Sequence, residues 1–216
     1  MVVRLHADDL GLHPSVDRAV FRLFEAGAIE GASILVTGCT FRQASRKARG
    51  LGMPVSLHLA LVDTKPISAP SDVPTLLGAG GRFPPYFGTV VWRSLRGTMN
   101  RVELRLEIER QIQEFCEAGL VTRNGLTVDG HQHLHLLPDV FEYLLQFAPR
   151  FGLTAFRLPL RSPYERRKLR PRSFAFAMAE VLGERARNRA RLDQNRSLTR
   201  TQQRVSPHAQ ASRRGS

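Results

Sequence analysis

The chain predicts an α/β fold built on a parallel sheet or a barrel. Three observations carry that expectation: short apolar runs alternate with amphipathic runs of helical period, glycines stand just past the helical runs, and clusters of Asp and His follow the apolar ones. With 216 residues, 42% of them hydrophobic, the chain can bury one substantial core, so a single globular unit is expected.

The elements follow in order. Val2 to His6 reads as a short apolar strand, and Pro14 to Ala26 as a helix with Val16, Val20, Leu23 and Phe24 on one face and Gly27 as its stop. Ala32 to Thr37 is a second strand, Phe41 to Arg49 a helix closed by Gly50, and Val55 to Leu59 a third strand. Lys65 to Gly97 is rich in Pro and Gly and reads as a long excursion, a length that inside a compact domain usually marks a functional loop or lid. Arg101 to Ala118 is the longest helix, with Val102, Leu106, Ile108, Ile112 and Phe115 among its glutamates and Gly119 beyond it. Leu126 to Asp129, Asp139 to Phe151 and Thr154 to Leu158 complete the series as strand, helix and strand.

The net charge of +13 suggests a polyanion partner until it is located. Residues 1 to 150 carry 16 Lys and Arg against 15 Asp and Glu, whereas residues 151 to 216 carry 16 against 4. The excess therefore belongs to the last third, whose end, from Arg185 to Ser216, is nearly devoid of apolar residues and is expected to be a disordered basic tail beside a folded domain of residues 1 to 184. No aromatic residues interleave its arginines for base stacking, so nucleic acid is not the expected partner. Cys39 and Cys116 lie far apart, and Asp8 and Asp9 interrupt any apolar leader, which makes a reducing cytoplasm the expected location. No run approaches the ~18 apolar residues of a membrane span. A homodimer is left open.

The densest chemistry lies in Asp129-Gly130-His131-Gln132-His133-Leu134-His135. Were this run extended, Asp129, His131, His133 and His135 would all project to one face. Four polar groups on one face are costly to bury unpaired, and a divalent ion with its supporting hydrogen bonds would satisfy them. Same-face neighbours on a strand sit roughly 6 to 7 Å apart while metal bonds are about 2 Å, so one ion takes one of these imidazoles, not three. Two further clusters stand at strand ends, Asp8-Asp9 after the first and His58 at the third, and in a parallel architecture such ends converge on one face. An aspartate with two histidines leaves positions on a divalent cation for water and a substrate oxygen, and the second aspartate is free to act as a base. That constellation describes metal-assisted hydrolysis. A phosphoesterase or amidohydrolase is the competing enzyme class, although those commonly place an HxH pair on the first strand, where this chain has Asp8-Asp9.

The segments HADDLGLHPSVDRAV (6–20), SLHLALVDTKP (56–66), DGHQHLHLLPDVF (129–141) and AFRLP (155–159) resemble the motifs of the ChbG/YdjC-like carbohydrate deacetylases, a subgroup of which is associated with hopanoid biosynthesis. The resemblance runs from Met1 to about Pro159. It implies an irregular, TIM-like (β/α) barrel and hydrolysis of an N-acetyl group from an amino sugar or N-acetylated oligosaccharide. It also implies a divalent ion, Mg or Zn, held by Asp9, His58 and His131, with Asp8 as general base, His133 and His135 lining the site, and Arg157 holding the base or the substrate. The family usually has Asn where this chain has His6, and its members continue through further strands to a late His-Pro motif that is not seen here. From about Arg187 the sequence reads like a truncated or frame-shifted gene, with His208 in an unrelated context. Five strands would not close the barrel, and an inactive, truncated relative is the alternative reading.

Overall fold

A computed structural model describes residues 5–157. Most of the first expected strand, the end of the fifth and the basic tail lie outside the described residues. Five strands, β1 (His6–Leu10), β2 (Gly31–Ile34), β3 (Val55–Leu59), β4 (Leu126–Gly130) and β5 (Leu153–Phe156), form one parallel sheet in the order β1-β2-β3-β4-β5. Helices α1 (Pro14–Glu25), α2 (Phe41–Gly50), α3 (Phe87–Leu95), α4 (Arg101–Glu117) and α5 (Pro138–Phe151) lie between the strands. A parallel sheet whose strands follow one another without reversal, joined by right-handed crossovers, carries its helices on one face.

Register explains how the sheet divides apolar from reactive groups. Ser33 pairs with Ser56, and His58 pairs with Asp129. Since side chains alternate along each strand, Ser33, Ser56, His58, Thr127 and Asp129 share one face, while Ala32, Ile34, Leu57, Leu59, Leu126 and Val128 share the other. The second set is fully buried and merges with Leu104, Ile108, Ile112 and Phe115 of α4 and Leu144 and Phe147 of α5. Burial of this apolar face holds the scaffold, and the opposite face is left for polar groups.

Besides β2, which ends at Ile34 rather than at Thr37, two elements differ from expectation. Strand β1 begins at His6, where the expected strand ended, so Asp8 and Asp9 lie within it rather than after it. The pairing with β2 slips between Ala7 and Leu10, and Asp9 takes a left-handed φ of 65°. This bulge re-aims the two carboxylates, which strict alternation would send to opposite faces. The second difference is the excursion after β3, which contains α3 and short 3-10 turns at Pro70–Asp72, Pro74–Leu76 and Ala79–Gly81. Its Pro and Gly residues disguise a helix whose Val90 and Val91 are buried.

A buried pair on α4 anchors the start of that excursion. The Glu107 carboxylate, fully buried, accepts the backbone N–H groups of Ile67 at 3.0 Å and Ser68 at 2.9 Å, and the Gln111 amide bonds both the N–H and the carbonyl of Ala60. Glu107→Ala strands the buried Ser68 donor and the half-buried Ile67 donor, both bonded to one carboxylate, so the chain should lose about 3 kcal/mol of stability. Urea denaturation reads this directly, and a loss below about 0.5 kcal/mol, the ordinary range for an unimportant surface change, would contradict the anchoring role.

Candidate functional site

The carboxyl ends of β1, β3 and β4 bring Asp9, His58 and His131 together, with one ligand atom from each lying within 4.8 Å of the others. Asp9 Oδ1 stands 2.8 Å from His131 Nδ1 and 3.3 Å from His58 Nε2. The imidazoles meet edge to face with centroids 5.4 Å apart. His58 is almost wholly buried, and its second nitrogen, Nδ1, is paired with Asp129 Oδ1 at 2.6 Å. That bond fixes the ring and leaves Nε2 facing Asp9 and His131, the arrangement that a metal-ligating histidine uses. One carboxylate and two imidazoles form a donor set suited to a divalent cation, so the residues fit such an ion.

Asp129 is the hub behind this cluster. Its Oδ2 accepts hydrogen bonds from Ser33 Oγ and from Arg157 Nη1, the latter at 3.0 Å. Arg157, just beyond β5, also holds Asp8 in a two-pronged pair, with Nη2 3.0 Å from Asp8 Oδ2 and Nη1 bonded to Oδ1. One guanidinium thus bridges Asp8 and the carboxylate that orients His58. His6 Nε2 lies 2.9 Å from Ser33 Oγ and 3.4 Å from Ser56 Oγ, extending the polar network along the sheet. Ser33 and Ser56 were not singled out from the sequence. The available signal was their position, polar residues in apolar strands, with Ser56 two residues before His58.

The His-rich run does not stay extended. The strand ends at Gly130, and His131–Leu136 form a 3-10 turn in which Gln132 and His133 both adopt left-handed φ values, 53° and 59°. The expectation of four side chains on one face is therefore corrected: of the three histidines in the run only His131, at the end of the strand, joins Asp9 and His58, and the turn that follows it breaks the alternation for His133 and His135. Two consecutive non-glycine residues with positive φ are strained and occur where surrounding structure imposes them. His133 is half-buried next to this turn, and burial and the nearby Arg157 charge lower its basicity. His135 lies deeper, fully buried, with Nε2 2.9 Å from the Arg157 carbonyl oxygen, so it sits behind the site rather than on its surface. Burial holds its pKa down at about 4, so the ring is neutral at ordinary pH.

Charge within the cluster is strongly coupled. Hydrogen bonds from His131 and His58 hold the Asp9 carboxyl well below its usual range. Burial pulls the His58 pKa down, but the bonds to Asp129 and Asp9 outweigh it and raise it from 6.5 to about 9. This gain exists only in the folded state, so it stabilises the metal-free protein fully below pH 6.5 and is lost as pH rises through 9. The melting temperature of metal-free protein should accordingly fall between those pH values, and His58→Asn should flatten the slope. A wild-type melting temperature that climbs over that interval would show that His58 is not proton-stabilised by its two carboxylates.

Together, the parallel sheet and the Asp-His-His cluster at its strand ends define a parallel α/β protein with a candidate cation site, the class to which metal-assisted hydrolases belong. A sequence profile described as "YdjC-like protein" matches residues 2–214. The chain belongs to the YdjC-like family. It is 34% identical over 157 residues to a human carbohydrate deacetylase, covering 71% of this chain and 47% of that protein, and 32% identical over 155 residues to a zebrafish (Danio rerio) carbohydrate deacetylase, covering 71% and 48%. A chitooligosaccharide deacetylase from Serratia marcescens is 29% identical over 168 residues, covering 77% of this chain and 61% of that protein. The chain thus spans about half the length of the vertebrate relatives it matches. Its fold also matches the crystal structure of a protein from Enterococcus faecalis, with a TM-score of 0.62, 22% identity and coverage of 83% of this chain and 64% of that one. Cys39 and Cys116 are free thiols, and no helix among the described residues is long and apolar enough to cross a membrane.

Proposed function

We propose that this chain carries the metal-dependent site of a carbohydrate deacetylase, which removes N-acetyl groups from amino sugars or their oligosaccharides. The observation that carries the reading is the separation of two aspartates that are neighbours in sequence: Asp9 faces two imidazoles, while Asp8 is held apart by Arg157. Deacetylation needs that division, one carboxylate for the ion and another for the proton. The names of the relatives support the same chemistry.

Asp9, His58 and His131 would hold the ion, and their two imidazoles favour zinc over magnesium. When bound, the ion supplies Lewis acidity toward the acetamide oxygen and makes water more acidic. Asp8 takes the proton of the attacking water, Arg157 keeps the carboxylate aimed, and Asp129 keeps the His58 ring from rotating. The amide C–N bond breaks as the proton held by Asp8 passes to the leaving nitrogen, giving acetate and a free amine. The sheet, parallel and in unbroken order, is read as the first part of an irregular TIM-like (β/α) barrel.

The test is release of acetate from N-acetylated chitooligosaccharides by zinc-loaded protein. Activity that disappears on chelation and returns with the ion is expected. Metal-loaded protein that releases no acetate from any N-acetylated amino sugar would overturn the deacetylase reading.

A further inference from the structure

We propose that His135 is a positioning residue: a buried strut between the ends of β4 and β5 that fixes Arg157, and through Arg157 the carboxylate of Asp8. The role rests on the reading of Asp8 as base, and it is more specific than the site-lining role that the resemblance implies for His135.

Several observations meet at this ring. It is fully buried, and its Nε2 is 2.9 Å from the Arg157 carbonyl oxygen. A carbonyl only accepts, so Nε2 carries the proton and donates, which leaves Nδ1 as the unprotonated nitrogen. Nδ1 has no hydrogen-bond partner among the described residues. A Cβ placed on Gly130 would lie 2.6 Å from Nδ1 and 2.9 Å from both Cβ and the backbone nitrogen of His135. The ring is thus wedged against the last residue of β4, where a glycine is required for close approach rather than for its dihedral freedom.

Burying an imidazole with one nitrogen unpaired is unfavourable, and an apolar side chain of similar volume would fill the space without that cost. What the imidazole adds is the N–H to Arg157. The Arg157 backbone is then pinned on both sides, because its own N–H donates to the Val128 carbonyl at 3.1 Å. With the backbone fixed at the end of β5, the guanidinium can span Asp8 and Asp129 together. Freed at its carbonyl, Arg157 loses the geometry that two carboxylates share.

The experiment compares His135→Leu, which removes the donor, with His135→Gln, whose amide reaches the same carbonyl, in the 216-residue protein. The first readout is the Arg157 Nε–Hε resonance in 15N NMR spectra, assigned by its loss in Arg157→Lys. It should be sharp in wild type and His135→Gln, and broadened in His135→Leu and Gly130→Ala. The second is turnover: His135→Leu should lower kcat about 10- to 100-fold, as loss of a supporting hydrogen bond does, with KM and zinc affinity nearly unchanged. The third is coupling, since His135→Leu should add nothing in an Arg157→Met background. Should His135→Leu fail to fold, His135→Asn, one methylene too short to reach, should behave unlike His135→Gln. A sharp Arg157 resonance in the Leu or Asn variant, or independent multiplicative effects in the double mutant, would overturn the strut. Absence of zinc binding and acetate release by wild type would instead overturn the hydrolase reading, while the resonance would still decide the strut.

Discussion

His131→Ala and His58→Ala should each abolish high-affinity divalent-ion binding, and acetate release should vanish with it. The two rings enter the cluster from different elements, His58 from within β3 and His131 from the turn after β4, so neither replaces the other. Removing one leaves a carboxylate and a single imidazole, too few protein donors for a stable site. His58→Ala should also damage the protein more broadly, because it leaves Asp129 buried without the partner at 2.6 Å. His135→Ala should retain the ion, since that ring lies behind the cluster. Metal analysis after dialysis separates these cases, and full zinc occupancy in His131→Ala would remove that residue from the ligand set.

Asp8→Asn should do the opposite: keep the ion and lose the chemistry. Asparagine preserves the shape and one hydrogen bond to Arg157 but cannot accept the proton of water, so turnover should fall roughly 100-fold or more, the usual size of a lost general base. Asp9→Asn should lose the ion, because Asp9 Oδ1 is the oxygen set between the two imidazoles. If Asp8→Asn instead released the metal while Asp9→Asn kept it, the roles of the two aspartates would be exchanged.

Much of this arrangement is legible in the sequence, and the parts that are not share a physical cause. Strand β3 lies where the alternation of Val55-Ser56-Leu57-His58-Leu59 places it, and α2, α4 and α5 agree within a residue because apolar spacing and terminal glycines define them. Strand β1 was displaced because Asp8 and Asp9 look unlike strand residues, and they are tolerated there only through a bulge that pairing with β2 reveals. Helix α3 was hidden among Pro and Gly. The Asp8-Asp9 pair, His58 and the His-rich run could be brought together because parallel strands converge at one end, while the choice of Asp9 and His131 within them rests on the family resemblance. The turn at Gln132 and His133 could not be foreseen, since positive φ is uncommon outside glycine and two such residues in succession have no local signature. Depth was equally invisible: His133 and His135 belong to one H-x-H repeat, yet one is half-buried and the other wholly enclosed. Ser33 becomes meaningful only when register sets it in line with Ser56 and its hydroxyl reaches Asp129.

The dependence of Asp8 on Arg157 also sets an order of events during synthesis. Asp9, His58 and His131 leave the ribosome before Arg157 does, and β5 is an edge strand among the described residues, paired there with β4 alone. A nascent chain therefore owns every proposed metal ligand before it owns the guanidinium that aims its base. Fraying of β5 in the finished protein would reproduce that earlier stage, with the proposed ligands in place and the aspartate unaimed. Under the proposed mechanism, ion capture and hydrolytic competence are thus separable along the chain, and the strand that carries the chain to Arg157 controls the second.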